Sequence, residues 1–118
     1  MDISATREVI ADAINAAVDV NIRPRQYKTT TWQPRDGWIA VERVDATPIV
    51  WAHVTFNVWV VLGSDPFRAE ELFDEMVQPM IQAIDQSQLG AFEIGIEPQI
   101  APQSGDLQTL VLTFTMKV

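Results

Sequence analysis

The sequence predicts an α+β domain in which a mainly antiparallel β-sheet carries two amphipathic helices on one face. Two segments repeat apolar residues at helical spacing, and five others either alternate apolar with polar residues or combine threonine with aromatic residues. The predicted element order is therefore α-β-β-β-α-β-β. Short turns such as 34–37 join several of the successive strands, and strands joined in this way run antiparallel.

The first helix is predicted over Asp2–Val18. Its apolar residues recur every three or four positions, as an amphipathic helix requires (Ile3, Ile10, Ala13, Ile14, Ala17 and Val18). Either Asp2 or Ser4 can cap its start, because a side-chain oxygen there accepts a free backbone N–H. Pro24 prevents any continuation of this helix.

Three strands are predicted next. Tyr27–Trp32 is rich in threonine and aromatic residues, the turn 34–37 follows, and Trp38–Val44 returns. Ile49–Leu62 is the longest strand candidate, and every second residue from Val50 to Leu62 is apolar. Such a face normally packs against helices. The opposite face of this strand carries Trp51, His53 and Trp59.

The second helix is predicted to begin at Ser64-Asp65-Pro66, where a capping side chain precedes a first-turn proline. Pro79 is expected to kink or split this helix, and Gly90 to end it. Phe92–Glu97 then forms a strand, Gln99–Asp106 a loop, and Leu107–Val118 the last strand, with the C-terminus built into the sheet. Both helices are expected on the face formed by Val54, Phe56, Val58, Leu112 and Phe114.

The whole chain fits one domain, since its 118 residues are too few for two ordinary ones. Its 47% hydrophobic content is that of a globular protein. The strongest apolar run, Val58–Leu62, is far too short to span a bilayer, and residues 1–4 lack the features of a signal peptide. An intracellular origin is the default expectation, although a chain without cysteine does not indicate a redox compartment.

The net charge of −8 is unevenly placed. Residues 1–64 hold six Lys/Arg and seven Asp/Glu, whereas residues 65–118 hold two and nine. An acidic surface repels phosphates, which argues against a general nucleic-acid binder. The stretch Arg23–Arg35 is the exception, because it holds Arg23, Arg25, Lys28 and Arg35 and no acid. It could contact DNA, decorate a loop, or pair with the acidic half of a neighbouring copy.

No catalytic constellation is recognisable, so the chain is predicted not to be an enzyme and to need no cofactor or metal. His53 is the only histidine, cysteine is absent, and no nucleophile motif or phosphate-binding glycine loop occurs. One helix carries four carboxylates (Glu70, Glu71, Asp74 and Glu75). They make a poor cage for Mg²⁺, and a solvated helix face is the simpler interpretation. A Mg²⁺-dependent nuclease is the enzyme alternative.

Trp51 and Trp59 point to an interaction surface, because water is a poor environment for large aromatic rings. Either a neighbouring copy covers them, or a third element such as the Gln99–Asp106 loop does so within the subunit. The predicted subunit interface combines both tryptophans with the basic stretch and the acidic helix (Arg23, Arg25, Lys28, Trp51, Trp59, Glu70, Glu71 and Asp74). The open edges of the sheet are expected to contribute as well.

The layout resembles the tail terminator proteins of long-tailed bacteriophages, also called tail completion or minor tail proteins of the lambda U type. The resemblance lies in the first helix, in the strand leading directly into a capped acidic helix (FNVWVVLGSDPFRAEELFDEMVQPMIQAI), and in the closing segment LQTLVLTFTMKV. It covers nearly the whole chain and is one of layout, because the family has no catalytic motif to match.

The resemblance implies a virion protein that is made in the host cytoplasm and assembles into a hexameric ring. That ring caps the tail tube and joins it to the head-side connector, and DNA passes through it only as cargo. The partners implied are other copies of the chain, the tail tube protein and the connector protein. The alternatives are another neck or head-completion protein, or a monomeric bacterial adaptor that binds a protein.

Overall fold

The computed structural model describes residues 2–27, 31–46, 52–100 and 106–118. In chain order its elements are α1 (Ile3–Ala17), β1 (Asn21–Arg23), β2 (Asp36–Ala46), β3 (Ala52–Gly63), α2 (Pro66–Asp85), β4 (Phe92–Ile100) and β5 (Gln108–Lys117). The predicted α+β class and the order α-β-β-β-α-β-β are confirmed. Within the described ranges, no helix has the length and apolar character needed to cross a membrane.

The five strands form one sheet in the order β1-β2-β3-β5-β4. All neighbouring pairs run antiparallel except β1 and β2, which are parallel. In the centre of the sheet Val58 lies between Ile39 of β2 and Leu112 of β5. The long strands therefore bring their apolar residues onto a common face.

Both helices pack on that common face, as predicted. Ile10 and Ile14 of α1 and Met76 and Met80 of α2 belong to the same buried cluster as the apolar side of the sheet. The strand residues at its centre are fully buried (Val54, Phe56, Val58, Leu112 and Phe114). Helix α1 contacts β1 and β2, and α2 contacts β3, β5 and β4.

The first strand differs from the prediction, because β1 is Asn21–Arg23 and not Tyr27–Trp32. Tyr27 and Trp32 lie outside any strand, and residues 28–30 fall outside the described ranges. Ile22 is buried in the core, and the Asn15 side chain donates to its carbonyl oxygen and accepts its N–H, both at 2.8 Å. Pro24 follows β1 at once and has no N–H to continue the ladder.

Helix α2 is continuous through Pro79, so of the two predicted outcomes, a kink or a split, the split does not occur. The carbonyl that lacks a partner there belongs to the exposed Glu75, where water can satisfy it. The helix ends at Asp85 and not near Gly90. The Ser87 hydroxyl donates to the Ile84 carbonyl at 2.6 Å and so occupies an acceptor of the last turn.

Two strands extend beyond their predicted bounds. β2 starts at Asp36 and β4 continues to Ile100. The predicted start of the longest strand, 49–51, and most of the predicted loop, 101–105, lie outside the described residues. Val118 donates its N–H to the Ala52 carbonyl at 2.9 Å, so the last residue is bonded to the sheet as expected.

Candidate functional site

Four aromatic rings form a ladder on the sheet face opposite the helices. Trp59 of β3 stacks on its register partner Trp38 of β2, with ring centroids 6.0 Å apart and planes 7° apart. Trp32 lies 4.8 Å from Trp38, and Tyr27 lies 5.1 Å from Trp32. The Arg23 guanidinium covers the Tyr27 ring at 4.0 Å. Tyr27 and Trp32 are thereby held against the polar face of the sheet.

The aromatic ladder covers part of the Trp59 ring within its own subunit. This side chain is partly buried, and one of its ring faces is stacked on Trp38 of the same subunit. The ring that stacks on Trp59 is that of Trp38, and Trp32 and Tyr27 continue the ladder from there. Most of the Gln99–Asp106 loop proposed above, 101–105, lies outside the described residues. Trp51 also lies outside them. Trp59 therefore has less free aromatic surface than the strand pattern implied.

A tight turn delivers the ladder residues to this face. Arg35 has a positive φ of 77°, donates its backbone N–H to the Val61 carbonyl and accepts from the Asn21 N–H. Its backbone thus joins β1 to β3 at the point where the chain enters β2. The sequence signal of a turn at 34–37 was correct, but it did not show that the turn would carry Trp32 back over Trp38.

Tyr27 is the titratable member of the ladder. Burial raises the pKa of the Tyr27 hydroxyl, and the nearby negative charge of Asp36, which also hydrogen-bonds to it, raises this pKa further. The neighbouring Arg23 opposes the shift. The phenol therefore stays protonated to a higher pH than an exposed tyrosine.

The basic stretch was expected to contact the acidic helix of a neighbouring copy, but Arg35 makes such a contact within its own subunit. Its guanidinium donates to the Asp19 carbonyl at 2.9 Å and lies 3.3 Å from the Glu75 carboxylate. Glu75 belongs to α2, so the basic stretch and the acidic helix already meet through this pair. Arg35 and Glu75 are thus occupied within one copy.

Arg23 and Arg25 form what we call the arginine edge, beside β1 and the start of α1. Both are exposed, and within the described part of the chain neither has a carboxylate at ion-pair distance. Arg25 donates to the Ser4 hydroxyl at 3.0 Å. Beneath them, Arg7 donates to the Ile39 carbonyl at 2.9 Å, and burial, together with Arg25, lowers the pKa of Arg7. Lys28, the other predicted cation, lies outside the described residues.

The outer face of α2 carries Phe67, Glu70, Glu71 and Asp74, which are all exposed. Phe67 is 81% exposed, more than any other large apolar side chain of the described residues. The Asp65 carboxylate accepts its backbone N–H at 3.0 Å, which fixes the first turn of the helix. The sequence analysis did not predict a contact role for Phe67. Its position off the apolar stripe that contains Leu72 and Met76 nevertheless indicates an outward-facing side chain.

A shallow open groove of about 590 Å³ lies on the polar face beyond the ladder. His53 meets the edge of the Phe92 ring there, with centroids 5.6 Å apart, and Arg43 is paired with Asp45 at 2.8 Å. The other lining residues are Glu42, Thr55, Glu93, Thr113 and Thr115. Across the described residues, no group of three or more His, Cys, Asp or Glu is placed to hold a metal ion.

The two sheet edges differ in how open they are to a further strand. Beyond Trp38, β2 has no outer neighbour among the described strands, and β4 is the other edge. β4 has an irregular register between Phe92 and Gly95, a proline at Pro98, and acidic side chains at Glu93 and Glu97. Bulges, prolines and charges are the features that discourage strand pairing at an edge. The edge at β4 is therefore poorly suited to strand pairing, whereas β2 beyond Trp38 stays a candidate for contact.

Compared with models of known protein families and with curated proteins, the chain matches none.

Proposed function

We propose that this chain is a structural subunit of a phage tail neck, which assembles into a ring that caps the tail tube and joins it to the head-side connector. The observation that carries the proposal is the element order α-β-β-β-α-β-β with both helices on one face. This is the layout on which the resemblance to tail terminator proteins rests, and it extends over the described residues from Asp2 to Val118.

The described surfaces support a protein that works by contact with other proteins. Exposed apolar side chains occur at several separate places on the subunit, namely Val9, Val44, Phe67, Phe92 and Ile100. A ring subunit at a neck needs several such places, because it meets two neighbouring copies, the tube and the connector. The long dimension of 47 Å, against 27 and 20 Å, leaves room for these contacts to be separate.

The charge of the chain is compatible with the passage of DNA through the ring. The net charge is −8, and nine of the sixteen carboxylates follow Ser64. A wall of this sign repels phosphates at short range and does not retain the strand. DNA would then be cargo and not a ligand.

The mass of the assembled protein tests this proposal. Native mass spectrometry of the chain, alone and after incubation with purified tail tubes, should find a species of about six monomer masses. A ring that appears only with tubes would mean that the tube end acts as a template. A chain that stays monomeric in both conditions would contradict the proposal and favour an adaptor.

A further inference from the structure

The outer face of α2 presents an aromatic ring to water. Phe67 is 81% exposed, whereas Leu72 and Phe73 of the same helix pack against the core. A phenyl ring exposed in the first turn of a helix has no role in the core, and aromatic rings are enriched at protein contacts. This face therefore lacks a partner within the described part of the subunit.

The surroundings of Phe67 define what that partner should be. Between Phe67 and Glu75 the helix holds four carboxylates and one guanidinium, that of Arg68. Only Glu75 among these carboxylates forms an ion pair within the described residues. A side chain that suits both a ring face and carboxylates is arginine, whose planar cation stacks on aromatic rings and donates to carboxylates.

The chain itself carries two exposed arginines that could bind such a surface. Arg23 and Arg25 of the arginine edge are exposed and lack a carboxylate partner among the described residues. They belong to a thirteen-residue stretch without acids, in a protein that is otherwise strongly acidic. The two surfaces are thus complementary in charge and in chemical type.

The two surfaces are kept apart within one subunit. Arg25 is bonded to Ser4 in the first turn of α1, whereas Asp19, just past the other end of α1, is joined through Arg35 to Glu75 of α2. The fifteen residues of α1 span about 22 Å. Arg25 therefore lies about one helix length from Glu75. Within one copy it is remote from Glu71 and Asp74, which lie within about one turn of Glu75 on α2.

We infer that Phe67, Glu70, Glu71 and Asp74 of one copy bind Arg23 and Arg25 of the next. Two different surfaces meet in this contact, so each copy has one of each to offer and the arrangement is head-to-tail. Such contacts close into a ring when the rotation between copies fits. The inference rests on the proposed function for ring closure, and it adds the residues that hold neighbouring copies together.

Two charge-reversal variants of the full chain test this contact. Arg25→Glu and Glu71→Arg should each weaken association between copies by roughly tenfold, because an attraction becomes a repulsion. An equimolar mixture of the two variants should assemble again, since alternating copies then offer opposite charges at every contact. A ring with an even number of copies closes under this alternation. Sedimentation velocity of each variant and of the mixture, at matched concentrations, measures the effect.

A third variant separates the aromatic from the ionic part. Phe67→Ala should weaken association about tenfold at low and at high salt, whereas the effect of Arg25→Glu should fade as salt is added. Glu97→Lys is the matched control and should leave assembly unchanged. Glu97 is exposed on β4, at the sheet edge opposite β1 and on the face opposite the helices. All of these side chains are exposed, and an unaltered circular dichroism melt would establish that each variant is folded.

The results distinguish this contact from the ring function. If rings form and Arg25→Glu, Glu71→Arg and Phe67→Ala all assemble like the unaltered chain, the contact is wrong and the proposed function stands. If the mixture fails to recover, the charge pairing is wrong. If the mixture recovers but the product is an open filament, the contact is right and the ring is wrong. A chain that never self-associates, with or without tubes, overturns both.

Discussion

Gly37 shows how closely the backbones approach at the junction of three strands. It pairs with Ile22 of β1 on one side and with Val60 of β3 on the other. A Cβ at this position would overlap the Trp59 carbonyl oxygen and lie 2.6 Å from Ile22 Cδ1. Since the carbonyl is part of the backbone, it cannot turn aside as a flexible side chain would.

Gly37→Ala should therefore lower the free energy of unfolding by about 1–3 kcal/mol, the usual cost of overpacking a filled site. Gly95→Ala is the control, because a Cβ at that strand glycine meets nothing within 4 Å. Urea denaturation followed by tryptophan fluorescence measures both variants. Equal midpoints for the two would show that the junction relaxes and that the close approach has no consequence.

Tyr27 is the only tyrosine of the chain, so its ionisation can be followed directly. Burial first, and then Asp36, raises its pKa in the folded state. The unfolded chain consequently releases this proton at a lower pH than the folded chain. The stabilising effect of the protonated phenol is present below about pH 10 and is lost as the pH rises through the folded pKa.

Absorbance of tyrosinate near 295 nm should therefore have a higher midpoint in the native protein than in urea. Asp36→Asn should move the native midpoint down, because it removes the negative charge, while burial keeps it above the unfolded value. Coincident midpoints in buffer and in urea would mean that Tyr27 is not held against Trp32 in solution.

At the scale of elements, β1 depends on α1. The strand has only three residues, and the Asn15 side chain makes both hydrogen bonds to the Ile22 backbone that a strand partner would make on that side. A strand so short has little stability of its own. One amide group thus supplies both of the described hydrogen bonds between α1 and the backbone of β1.

Asn15→Ala should lower the free energy of unfolding by about 1–2 kcal/mol, since two backbone groups lose their partners. Glu8→Ala is the matched control on the same helix, because Glu8 is exposed and makes no described hydrogen bond. Thermal melting of both variants measures the difference, and hydrogen exchange of the Ile22 amide should be faster in Asn15→Ala only. Unchanged exchange there would contradict the dependence of β1 on Asn15.

The same elements show what the sequence could predict. β3, β5 and the helices were found because their apolar periods repeat over ten or more residues, and tertiary packing enforces those periods. β1 was missed because three residues carry no period and its partner, Asn15, lies seven residues away in the chain. Tyr27–Trp32 was mistaken for a strand because aromatic and threonine residues favour strands, whereas here Tyr27 and Trp32 stack over the sheet.

The candidate interface stays a prediction, and the internal contacts of its neighbouring residues could not be read from the sequence. The sequence identified Arg23, Arg25, Glu70, Glu71 and Asp74 by charge alone, and the structure places them on two exposed surfaces. Charge patterns did not reveal that Arg35 and Glu75 pair within one copy, because that contact spans forty residues. The stacking of Trp59 on Trp38 also depends on strand register, which the pattern of one strand does not contain.

At the scale of the whole molecule, the acidic and basic surfaces are distributed so that one copy does not satisfy itself. The arginine edge lies beside β1, at one side of the sheet, and the outer face of α2 lies above the other strands. The association that we propose between copies would draw on this distribution, and it should weaken with salt.

Electron microscopy of purified tail tubes after incubation with the chain tests the central claim most directly. We expect a closed ring of this protein, of about six copies, at one end of each tube, and bare tube ends when the chain is omitted. Tube ends that stay bare at saturating concentrations of the folded chain, with the protein remaining monomeric beside them, would contradict the claim.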